Sequence, residues 1–121
     1  MNIEPVPLQH INQVLPLAEK YISAALDHSC GDYTLDEARV FLTSGAWSLI
    51  VAYQNPGEVR GALVVQYFNR PRDRVAFIIA LGGRLVTSQE NAQRLFDIFR
   101  TNGATTVEAG ARDQVLRLWK K

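Results

Sequence analysis

The sequence is poor in the residues from which metal and redox sites are built. It has one cysteine, Cys30, and two histidines, His10 and His28. A single thiol excludes an intrachain disulfide and a cysteine-rich zinc site. Two histidines so far apart offer no metal-ligand spacing. Charge of one sign is lacking too: 13 Lys and Arg stand against 12 Asp and Glu, for a net charge of +1. No strong field for nucleic acid or an anionic membrane is therefore expected. The chain has no long apolar run and no leader-like segment, so neither membrane insertion nor export is expected. Internal repeats and low-complexity tracts are missing as well. What remains is 121 residues, 47% hydrophobic and 21% charged. That is the balance of one globular domain, residues 1–121, large enough to bury a core.

The stretch Arg74 to Gly103 organises the rest. Val75 to Leu81 is an uninterrupted apolar run with β-branched and aromatic members, which predicts a strand buried on both faces. Gly82, Gly83 and Arg84 follow. Thr87 and Glu90 stand three apart as a capping box, with Ser88 as a competing N-cap. They open a predicted amphipathic helix from about Gln89 to Asn102. Ala92, Leu95, Phe96 and Phe99 share one face, and Gly103 is placed to close the helix. A strand that runs through glycines into a helix N-terminus is a place where α/β proteins bind phosphates, because unpaired backbone N–H groups and the helix dipole point there.

Before this stretch, Asn2 to Val6 reads as a strand that Pro5 and Pro7 confine to an edge or an end. Leu8 to Leu26 is helical, with Ile11, Leu15, Ala18, Ile22, Ala25 and Leu26 on a stripe and Pro16 inside as a kink or a restart. Asp27 to Tyr33 is a polar loop. Thr34 and Glu37 form a second capping box, opening a short helix that Ser44 and Gly45 end, with Leu35, Ala38, Phe41 and Leu42 inward. Ala46 to Tyr53 and Val59 to Phe68 are strands joined by the turn residues Asn55, Pro56, Gly57 and Glu58. A second turn, Asn69 to Asp73, leads into Val75. After the main helix, Thr105 to Ala109 is a strand, and Arg112 to Lys121 is expected as an amphipathic helix with Val115, Leu116 and Trp119 on its apolar side. The predicted order is β-α-α-β-β-β-α-β-α: an α/β (α+β) fold with a mixed sheet. The Val75 and Thr105 strands would lie side by side, parallel and splayed.

This order of elements resembles the GNAT superfamily of N-acetyltransferases. Ala76 to Arg84 and Gly110 to Lys121 are similar to short acetyltransferase-like proteins of tailed bacteriophages. The resemblance implies a GNAT-like domain and a possible acyl-coenzyme A site. Backbone groups of Ile79 to Leu81 would hold the pantetheine arm, and Gly83 and Arg84 the phosphates. The chain departs from the family at the decisive positions. The family's pyrophosphate loop has the form Q/R-x-x-G-x-G/A, and here Leu85 and Val86 occupy that stretch. The family's strand glutamate has no counterpart in Val75 to Leu81. Its tyrosine in a Leu-Tyr-x-Lys pattern is matched by Trp119, whose indole N–H does not protonate a thiolate at neutral pH. The family continues past this point to two further strands.

Two functions follow. The first is a non-catalytic GNAT-like module with no cofactor. It would bind other protein subunits, plausibly virion components, and reside in a virion or a host cytoplasm. The second is an acetyl-coenzyme A-dependent N-acetyltransferase that works by positioning alone. The degenerate motifs favour the first. The remaining polar residues have ordinary roles to fill. Arg70, Arg72 and Arg74 read as a solvated rim, Cys30 as a small buried side chain, and Asp27, His28, Asp32 and Tyr33 as an interhelical loop bordering the acceptor side. Glu108 alternates with Val107 and cannot be paired from sequence.

Overall fold

Strand periodicity explains the layering. In a strand, neighbouring side chains point to opposite faces. Leu49 and Val51 therefore face one way and Ile50 and Ala52 the other, and all four are buried. Ala62 and Val64 divide from Leu63 and Val65 in the same manner. Such a sheet needs cover on both sides. The computed structural model, which describes residues 2–28, 33–55, 57–83, 89–111 and 114–120, supplies it.

The elements run β1 (Asn2–Pro5), a 3-10 turn (Leu8–His10), α1 (Ile11–His28), α2 (Leu35–Ser44), β2 (Ser48–Tyr53), β3 (Val59–Asn69), β4 (Arg74–Gly83), α3 (Gln89–Thr101), β5 (Thr106–Ala111) and β6 (Gln114–Lys120). The strands form one sheet in chain order. Every pairing is antiparallel except β4 with β5, which the α3 crossover makes parallel. On one face, Leu95, Ile98 and Phe99 of α3 pack over Ile3, Ile50, Leu63, Val65, Ala76, Ile78 and Val107. On the other, Ile11, Leu15, Ala18, Ile22 and Leu26 of α1, with Ala38 and Leu42 of α2, cover Leu49, Val51, Ala62, Val64 and Ala80.

Local chemistry sets the helix ends. The Thr34 hydroxyl accepts from the Glu37 amide at 3.2 Å, and the Glu37 carboxylate accepts from the Thr34 amide at 3.0 Å. Two orphan donors are thereby satisfied at once. Gly45 closes α2 and Gly103 follows α3, both at φ 86°. Pro16 sits inside α1, which runs on past Leu26 to His28. The caps expected at Thr87 and Ser88 lie outside the described residues, as does Cys30.

One expected element is different in kind. Arg112 to Lys121 is not a helix. Residues 114–120 form β6, antiparallel to β5. The spacing of Val115, Leu116 and Trp119 suits a helix, but Val115, Arg117 and Trp119 also alternate with Leu116, Leu118 and Lys120. So short a helix is marginal by itself. Pairing with β5 satisfies a whole row of backbone groups instead. The order is thus β-α-α-β-β-β-α-β-β.

The outer edge of the sheet is β1. The Val6 amide donates to the Leu49 carbonyl at 2.8 Å, so the ladder to β2 falls on the even-numbered residues. Ile3 and Pro5 turn their backbone groups outward. The Arg94 guanidinium of α3 reaches the Ile3 carbonyl at 3.3 Å.

Candidate functional site

β4 and β5 part company halfway along. Their parallel ladder runs from Val75↔Thr106 to Ile78↔Ala109 and stops. β4 continues to Gly83 and remains paired with β3 throughout, whereas β5 continues to Ala111 alongside β6. Among the described residues, nothing stands opposite Ile79 to Gly83 on the β5 side. The sheet is therefore split from Ile79 onward into a wedge, open at the end of β4 that leads towards α3.

A bulge lies at the apex. Val64 pairs with Ala80 and Val65 with Ile78, which leaves Ile79 as the extra residue. A bulge bends its strand and sharpens the twist. Here it also swaps faces: Ile78 packs under α3, and Ala80 packs under α1. Beyond it the strand is no longer buried on both faces as its composition suggests. Leu81 is 48% exposed. An apolar side chain and a strand edge that, among the described residues, has no β5 partner thus line one wall of the wedge.

The glycine pair has a packing role. A Cβ on Gly82 would overlap the Tyr21 carbonyl of α1. On Gly83, at φ 74°, it would come within 2.5 Å of the Arg60 carbonyl oxygen and 2.6 Å of the Tyr21 ring. The Tyr21 hydroxyl then donates to the Val59 carbonyl at 3.0 Å. Helix α1 can cross the end of β4 this closely because both positions lack a side chain. Of the four predicted binding residues, Ile79, Leu81 and Gly83 lie along the wedge strand, and Arg84 lies outside the described residues.

A polar cluster holds the other end. The Arg70 guanidinium donates to both Asp73 oxygens, at 2.8 and 2.7 Å. It also reaches the Glu108 carboxylate at 2.9 and 3.5 Å. The Thr106 hydroxyl donates to Asp73 at 3.0 Å. Glu108 is 6% exposed, and of the side chains on β4 and the described part of β5 it alone is a carboxylate. Hydrogen bonds to Asp73 and then to Glu108 raise the Arg70 pKa, so the cation is permanent. Next to it, the Arg74 guanidinium donates to the Asn102 carbonyl at 2.9 Å and to Asn69 at 3.1 Å, and lies 5.5 Å from the Tyr67 ring centre. Arg70 and Arg74 are therefore not a solvated rim; they tie the β3–β4 turn to β5 and to the end of α3. Sequence reasoning missed this because Arg70 and Glu108 are 38 residues apart. The one local signal was the i,i+3 spacing of Arg70 and Asp73 in a turn.

Other predicted residues have structural partners. Tyr33 meets Trp47 edge-on at 4.9 Å and Phe41 at 6.3 Å, which places it in an aromatic cluster beside α2. Trp119 stands in β6 opposite Val107, not in a helix. Two clefts lie away from the wedge. One of about 660 Å³ runs between β1 and α3, lined by Ile3, Glu90, Arg94 and Asp97. An apolar one of about 280 Å³ is lined by Val6, Val14, Leu17, Tyr53 and Val59. Among the described residues, no helix is long and apolar enough to cross a membrane.

Solved structures share this architecture. The fold is GNAT-like. A ribosomal-protein-alanine N-acetyltransferase from Brucella melitensis biovar Abortus 2308 superposes with a TM-score of 0.61 at 15% identity, over 93% of this chain and 82% of that one. An aminoglycoside acetyltransferase from an uncultured soil metagenomic sample, in complex with sisomicin, gives 0.63 at 11% identity, over 93% and 78%. The NatC complex bound to Gag peptide and CoA gives 0.58 at 14% identity, over 89% and 72%. No protein-family model and no curated protein matches the sequence. At such identities the likeness is one of fold. The first two of these neighbours are acetyltransferases, and the third is bound to CoA. These neighbours do not bear on the bacteriophage resemblance.

Proposed function

We propose that the chain is an acyl-coenzyme A-dependent N-acetyltransferase that transfers an acetyl group to an amine. One observation carries the reading: β4 leaves β5 at Ile78 and exposes a strand edge from Ile79 to Gly83. Pantetheine is an extended chain with two amides, and such a chain can add to an open sheet edge as a further strand. The exposed Leu81 offers it apolar contact. Bound there, acetyl-coenzyme A would supply an activated thioester. The residues at the wedge fit the arm; Arg84, assigned to the phosphates by resemblance, is carried in the proposal on that basis alone.

The chain's own part is orientation. β4 has no carboxylate, and the Glu108 oxygens are engaged by Arg70. Holding amine and thioester in line contributes most of the rate under these conditions. A non-catalytic binding module, virion-associated or otherwise, is the second reading. The glycine pair favours it: packing against Tyr21 accounts for Gly82 and Gly83 without any phosphate.

Calorimetric titration with acetyl-coenzyme A separates the two. The transferase reading expects micromolar binding that Leu81→Glu weakens by at least about tenfold, since a carboxylate at the wedge wall repels the phosphates and removes apolar contact. Absence of heat at millimolar ligand, with the protein folded, would sink it in favour of the binding module.

A further inference from the structure

We infer that Arg70 is a positioning residue: through Asp73 and Glu108 it sets the angle at which β4 and β5 part. The inference rests on the reading of the wedge as the acyl-carrier site. Among the described residues, side-chain bonds between β5 and the turn that feeds β4 lie at the closed end. Arg70 bridges the β3–β4 turn to Glu108 on β5, and Thr106 on β5 reaches back to Asp73 in that turn. The turn is itself closed by the Arg70 amide on the Asp73 carbonyl at 2.8 Å. One residue on, the Arg74 amide donates to the Thr105 hydroxyl at 3.1 Å, and the Thr105 amide to the Arg74 carbonyl at 2.9 Å.

The cluster therefore works as a pivot. The two strands are pinned at their starts, are laddered over four residue pairs, and then diverge. From Ile78 to Gly83 the arm of β4 that has left β5, still paired with β3, is roughly 16 Å long at about 3.3 Å per residue. A change of only about 4° at the pivot moves the tip by about 1 Å over that length. Displacements of that size at a site far from the chemistry are enough to cost on the order of a hundredfold in rate. The Arg70 fork suits the task. A planar guanidinium bonded to two carboxylates fixes their relative orientation, which a lysine ammonium does not.

The test uses Arg70→Lys, which keeps the charge and loses the fork, and Asp73→Asn as the second variant if the first does not fold. Both are made in a Cys30→Ser background with spin labels at Leu81 and Ala111. The pivot expects the distance between these two labels to shift or broaden by about 1 Å or more while the melting temperature stays near that of the parent. On unlabelled proteins that keep Leu81, it also expects acetyl-coenzyme A affinity to fall about tenfold or more. An unchanged distance in both variants overturns the inference. So does a changed distance that appears only with a collapsed melting temperature, because the cluster is then a stabilising contact and not a pivot. If the unlabelled parent, with Leu81 in place, fails to bind acetyl-coenzyme A, the transferase reading falls, and the label distance still decides whether Arg70 sets the angle.

Discussion

Replacing Gly82 by alanine tests why the chain carries glycines at the open end of the wedge. The new Cβ would overlap the Tyr21 carbonyl oxygen and lie 2.9 Å from its carbon. Those are backbone atoms in the middle of α1, so no side chain can swing aside. Overpacking of this kind costs about 1–3 kcal/mol. At about 2.1 cal/mol/K per residue, a chain of this length has an unfolding entropy near 0.25 kcal/mol/K, so the melting temperature should fall by roughly 4–12 °C. Two sister variants make the reasoning sharper. Gly57→Ala meets nothing within 4 Å and is strained only by its φ of 84°, about 1–2 kcal/mol. Gly83→Ala combines a φ of 74° with contacts at 2.5 and 2.6 Å, and should cost the sum, about 2–5 kcal/mol. Scanning calorimetry on the three variants gives the ranking, with Gly83 the worst. A Gly82→Ala protein that melts within about 1 °C of the parent refutes the packing account. The pair would then be serving a ligand, and the loss should appear in acetyl-coenzyme A affinity instead.

Three further outcomes follow from the same structure. Phe99 is fully buried between α3 and the sheet, and Phe99→Ala should cost about 3–5 kcal/mol in urea unfolding. Thr34→Ala removes one half of the α2 capping box and should cost about 1 kcal/mol, with faster amide exchange confined to the first turn of α2. Burial pushes the Tyr67 pKa from 10.0 up to about 12, against a smaller lowering by Arg74. Its folded pKa lies above its unfolded one, so its contribution is intact below pH 10 and is lost as pH rises towards 12. Denaturant unfolding across that window should show the loss, and Tyr67→Phe should flatten it.

The sequence was readable where a signal is local. Both Thr34 and Glu37 of the capping box, the turn between β2 and β3, the apolar stripe of α1 and the α3 face each lie within a few residues of their partners. That β4 and β5 are parallel neighbours could be expected from the crossover; where they part could not. What was illegible depends on distant pairs. The last element was misread because a seven-residue segment satisfies both the helical and the alternating period, and only the edge of β5 that faces away from β4 decides between them. The bulge at Ile79 depends on the register of β3. The reason for Gly82 and Gly83 lies about sixty residues earlier, at Tyr21. Arg70 looked solvated for the same reason: its second carboxylate is on another strand.

The way β1 ends the sheet bears on how copies of this chain meet. A bare edge strand offers a row of donors and acceptors on which another molecule can template, the first step of sheet-to-sheet aggregation. Of the two residues that turn outward here, Pro5 has no N–H to give, and the Ile3 carbonyl is already taken by Arg94. One outward donor, the Ile3 amide, and one outward acceptor, the Pro5 carbonyl, are left. Two groups on a four-residue strand make a poor template, so extension from this side is disfavoured. An arginine on a neighbouring helix and a proline in the strand thus act together as a stop.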